Sequence, residues 1–162
     1  MKDSGRGTGT IQIFGDKADI RAESTVAGGM AYAANTNSGD ITIRTTEVME
    51  LTAIAGIAGG MATTINSTGS GKVDVESSGD ITLKAAAAKG TAKLISGDNV
   101  TVSTDKQLTL DVTSLTASGL YNGKIVAVDD GNTINAAGGF NYNVTSTSGD
   151  AKGVVASGED KD

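Results

Sequence analysis

The chain has 162 residues with a net charge of −6, 23 Gly, 3% aromatic residues and no Pro, Cys, His or Trp. That composition excludes a core of large rings, a disulfide framework and a thiolate metal site, and it removes the usual acid–base and nucleophilic machinery. The 13 Lys and Arg are scattered among 19 Asp and Glu, so there is no basic face of the kind that nucleic-acid binding needs.

Met1 to Thr8 is Gly-rich and polar, and reads as a flexible N-terminal segment. No apolar signal region follows it, so the chain is expected to be either cytosolic, or a mature product or a fragment. A short alternating strand comes next (Ile11-Gln12-Ile13), then a second (Ala18 to Ala22), then a glycine-led apolar run, GGMAYAA from Gly28. The same phrase returns as Ile41-Thr42-Ile43, Met49 to Ala53 and GGMATTI from Gly59. It returns again as Val73-Asp74-Val75, Ile81 to Ala85 and KGTAKLI from Lys89. A further copy runs Val100-Thr101-Val102, Leu108 to Val112 and NGKIVAV from Asn122. The last comprises a poorer strand around Ile134, Phe140 to Val144 and KGVVASG from Lys152. The anchoring glycines Gly29, Gly60, Gly90, Gly123 and Gly153 are 31, 30, 33 and 30 residues apart.

Period-2 alternation of β-branched residues marks half-buried strands. Gly, Ser, Asn and Asp between them supply corners. Helical repeats of similar length need amphipathic helices, and the Thr, Ile, Val and Gly found here are poor helix formers. The longest uncharged stretch, Leu51 to Gly71, is broken by Gly and Thr and does not suit a membrane span. The sequence therefore predicts an all-β, three-sided β-solenoid (β-helix) of about five coils with a period near 31 residues, stacked at the usual strand spacing. One domain would cover 9–162, with coils 9–38, 39–70, 71–97, 98–130 and 131–162. Ile11, Ile41, Val73 and Val100 should form one core ladder, and Ile13, Ile43, Val75 and Val102 the next.

Candidate site residues are few. Asp129, Asp130 and Asn132, around Gly131, carry the oxygen ligands that Ca²⁺ takes. An Asp-Gly turn between two strands is the preferred reading of the same residues. Phe140 and Tyr142 share a strand face with Val144. They would form a contact platform if exposed and an end cap if buried, and capping is favoured because terminal coils are atypical. No catalytic residue and no cofactor is expected.

SGDITIRTTEVMELTA (Ser38 to Ala53) and SGDITLKAAAAKGTAKLISGDNVTVSTDKQLTLDVT (Ser78 to Thr113) resemble the Gly-Asp-hydrophobic-Thr-hydrophobic repeats of filamentous-haemagglutinin-type exoproteins and related autotransporter passengers. The resemblance covers roughly residues 9–128. It implies an extracellular β-helical stalk that presents adhesive segments at a bacterial surface. The expected function is thus a structural or adhesive segment, not an enzyme, at the cell surface or outside the cell. Its partners would be a protein or glycan surface, or copies of itself stacked head to tail. The alternative is a self-assembling subunit of an extracellular filament, sheath or surface layer.

Overall fold

The computed structural model describes residues 9–56, 60–67, 71–88, 91–114, 124–146 and 154–157. The expected segment Met1 to Thr8 lies outside them. All regular structure among the described residues is strand. The first turn holds β1 (Ile11–Gly15), β2 (Ala18–Ser24) and β3 (Met30–Thr36), and the second holds β4 (Ile41–Thr45), β5 (Met49–Ala55) and β6 (Met61–Ser67). The third begins with β7 (Val73–Ser77) and β8 (Ile81–Ala87). The long β9 (Thr91–Thr104) then closes that turn and opens the next, followed by β10 (Gln107–Ser114), β11 (Lys124–Ala136), β12 (Gly139–Ser146) and β13 (Val154–Ser157).

Every pairing is parallel and joins a strand to its counterpart one turn away. Parallel neighbours need a long crossover, and here the remainder of each turn supplies it. The second strands make one sheet in the order β12-β10-β8-β5-β2. The first and third strands share the other sheet, because β9 pairs with β7 and with β6. The molecule is a β-solenoid of about three turns, with a period of about 31 residues. The ladders run on through β10 to β13.

The core follows from the alternation. In β4, Ile41, Ile43 and Thr45 are buried, Thr42 is half-buried and Arg44 is exposed. The register stacks Ile11, Ile41, Val73 and Val100, and beside them Ile13, Ile43, Val75 and Val102. All are buried except Ile13, which is half-buried in the first turn. The second strands add the columns Ala18–Met49–Ile81–Leu108–Phe140 and Ile20–Leu51–Leu83–Leu110–Tyr142. Each fully buried Leu or Ile contributes about 1.5–3 kcal/mol.

The third strands depart from simple alternation. Ala33 and Ala34, Thr64 and Ile65, and Leu94 and Ile95 are consecutive buried pairs, and the ladder skips one position there. As at a bulge, the phase slips by one residue, so side chains on both sides of the slip face the interior. Thr64 brings a hydroxyl into this core and donates it to the Lys84 carbonyl at 2.8 Å.

Corners are set by close backbone approach and by hydroxyls. A Cβ on Gly79 would run into the Glu47 carbonyl of the turn beneath, and one on Gly71 into the Gly39 carbonyl. Thr45, Ser77 and Thr104 stack in register. Thr45 donates to Ser77 at 2.8 Å, Ser77 donates to the Glu47 carbonyl and Thr104 to the Gly79 carbonyl. These bonds satisfy carbonyls that a turn would otherwise leave unpaired.

Three features differ from the sequence reading. The expected boundary between 97 and 98 falls inside β9, which passes the corner without interruption. Ile95 pairs with Ile125, 30 residues on, where the anchors Gly90 and Gly123, both outside the described residues, stand 33 apart in the sequence. Asp130-Gly131 is not a turn between strands but lies within β11. There the register moves from Ala127↔Gly97 to Gly131↔Asn99, so β11 holds two more residues than β9 and absorbs them as a bulge.

Candidate binding surfaces

The two groups singled out from the sequence lie on different strands, Asp129, Asp130 and Asn132 on β11 and Phe140 and Tyr142 on β12. Asn132 pairs with Val100, so it takes a backbone position on the first core ladder. The side chains of Asp129, Asp130 and Asn132 lie outside the described ones. Among the described residues no group of three or more acidic or other metal-ligating side chains gathers. No helix among them is long and apolar enough to cross a membrane.

Phe140 and Tyr142 sit on the core columns, above Leu108 and Leu110. Their ring centroids are 6.2 Å apart and tilted by 52°, within the range of favourable aromatic pairs. Tyr142 is half-buried, while Phe140 remains 46% exposed. The rings therefore top the columns and also present apolar surface to solvent.

The outer faces carry charges that pair off. Arg44 bonds to Asp74 at 2.7 Å and to Glu76 at 3.2 Å. The hydrogen bond and charge of Asp74, helped by Glu76, raise the guanidinium pKa further. Lys84 meets Glu50 at 2.9 Å and Lys17 meets Glu47 at 3.0 Å. Exposed pairs of this kind add little stability, but they leave the faces a mosaic of both signs. A shallow apolar groove of about 260 Å³ runs along Ile54, Gly56, Ala86, Ala88 and Thr113.

Another concavity lies mostly on the first turn. A cavity of about 370 Å³ is lined by Ala22 and Glu23 at the end of β2, by Met30, Ala31, Tyr32 and Asn35 of β3, and by Asn37 and Asn66. Asn66 Nδ2 donates to Asn35 Oδ1 at 2.7 Å, one turn to the next, because the two residues are register partners. The Tyr32 hydroxyl donates to Met30 Sδ at 3.1 Å, and burial raises its pKa above the ordinary value. Sequence reasoning missed this cluster. Its one signal is the pair Asn35 and Asn66 at equivalent places in MAYAANT and MATTINS.

Searches against family models, curated proteins and solved structures gave no match.

Proposed function

We propose that the chain is a non-enzymatic, structural and adhesive segment of a bacterial surface or secreted β-helical exoprotein, of the filamentous-haemagglutinin or autotransporter-passenger kind. In this reading it forms a three-sided rod of about five coils. The supporting observation is the unbroken parallel stacking of each strand on its counterpart, from β2 through β5, β8 and β10 to β12. Such stacking makes a stiff rod whose outward positions repeat at the strand spacing. It suits display of contacts along a length better than enclosure of a substrate.

A self-assembling filament subunit is the second reading. It is favoured by β1, β2 and β3, each of which pairs on one side only among the described residues. Open strand edges recruit further strands. The test of the first reading is the location of the chain in the cells that make it. Protease treatment of intact cells, followed by immunoblotting of cells and medium, should find it in the medium or cleaved at the surface. A chain wholly protected inside intact cells would overturn the reading.

A further inference from the structure

We propose that the cavity between β2 and β3 is a binding site for an uncharged sugar unit of a glycan. The inference deepens the adhesive reading and depends on it for its biological meaning, but the chemistry stands on the cavity itself. At about 370 Å³, the cavity lies at the small end of ligand sites, which run from about 300 to 1,000 Å³. Its lining joins a flat apolar surface to fixed polar groups, the combination that orients a small polar ligand.

A sugar ring has one face of C–H groups and a rim of hydroxyls that each donate and accept. Tyr32, tied to Met30 through its hydroxyl, supplies the apolar surface for the C–H face. The rim is matched by side-chain amides, which carry a donor and an acceptor at one tip. The Asn66–Asn35 bond fixes both amides and engages one Asn66 hydrogen and the Asn35 oxygen. The Asn35 amide nitrogen as donor and the Asn66 oxygen as acceptor take no part in that bond. They belong to neighbouring strands about 4.8 Å apart, a separation suited to two hydroxyls of one ring. Glu23 adds an acceptor on the opposite strand.

Charge selects the class of sugar. Among the described residues, the cavity lining contains the Glu23 carboxylate and no Lys or Arg. The nearest cation on β2, Arg21, is bonded to Glu23 at 3.4 Å, and the chain as a whole carries −6. A sulfated, phosphorylated or sialylated unit would meet like charge here, whereas a neutral hexose or N-acetylhexosamine would not.

The experiment applies the purified chain to an array of oligosaccharides ending in glucose, galactose, mannose, fucose or N-acetylglucosamine, with sialylated and sulfated counterparts. Any hit is then titrated by calorimetry with the soluble oligosaccharide. Binding of at least one neutral ending in preference to its anionic counterpart is expected. Tyr32→Ala and Asn35→Ser should each weaken it by tenfold or more, while Asp111→Ala, on the outer face of β10, should leave it unchanged. Thermal melts report whether each variant is folded, and Asn66→Ser serves if Tyr32→Ala is not. Absence of binding to every neutral ending, a preference for anionic ones, or equal binding by the cavity variants would overturn the site. So would binding that vanishes as copies of the chain associate, because the cavity would then be a contact between copies. A surface-exposed chain that binds no sugar sinks this site alone, and a sugar-binding chain retained inside cells sinks the adhesive reading alone.

Discussion

The second turn and the first have the same three strands in the same register, yet only the second is finished. Ile43, Leu51 and Ala53 are fully buried. Their partners one turn earlier, Ile13, Ile20 and Ala22, are only partly covered. The side chains on β1 and β4 are both Ile, so the strand's own sequence does not cause the difference. Burial in a solenoid comes from the neighbours above and below. The turn with a described neighbour on one side therefore covers its inward side chains less, as Ile13, Ile20 and Ala22 show.

Substitutions placed at matched positions break or sharpen this contrast. The largest effect is expected from Ile43→Asp, which puts a carboxylate in a dry ladder and should cost about 4 kcal/mol or more. The same change at Ile13 should cost well under half as much, since water reaches that position. Chemical denaturation of both variants measures the ratio, and equal losses would contradict the contrast. Next, Leu51→Ala should lose about 2–5 kcal/mol through the cavity it leaves, against about 1–2 kcal/mol for Ile20→Ala. The two variants should be compared by differential scanning calorimetry.

Two glycines give a smaller contrast of another kind. Gly79→Ala should destabilise by about 1–3 kcal/mol, because the new methyl meets the backbone of the turn beneath. Gly28→Ala meets open space and suffers only its positive φ of 69°, for about 1 kcal/mol. Urea midpoints resolve the two. Smallest is Arg44→Ala, which removes two solvent-exposed ion pairs. No change in melting temperature beyond error is expected at 0.15 M salt, where such pairs are screened to within about 8 Å.

The strands and their stacking could be read from the alternation and the recurring glycine-led runs, since period-2 burial leaves a direct mark on residue choice. The corners could not. Ser38-Gly39-Asp40 precedes a first strand and Ser78-Gly79-Asp80 a second, so the shared phrase encodes a corner followed by a strand, not a place in the turn. Both Asp side chains do the same work: Asp40 Oδ1 accepts from Lys72 N at 2.9 Å and Asp80 Oδ1 from Gln107 N at 3.1 Å. The phase slip at Ala33-Ala34 was equally hidden, because two small residues in succession carry no signal of direction. The β2–β3 cavity is assembled from Glu23, Tyr32 and Asn66 on three strands, and nothing local links them. Phe140 and Tyr142 stand out as rare rings, and that rarity marks the ends of two columns without telling how much of each ring is covered.

In-register parallel stacking is tested most directly by disulfide trapping, for which a chain without Cys gives a clean background. Thr42 and Asp74 are register partners on β4 and β7, and partner Cα atoms about 4.8 Å apart fall within the span of about 4.4–6.8 Å that a disulfide bridges. The double variant Thr42→Cys/Asp74→Cys should cross-link rapidly under native conditions, while Thr42→Cys/Glu76→Cys, two residues out of register, should cross-link only after unfolding. Equal rates for the two pairs, or faster trapping of the offset pair, would contradict the solenoid register.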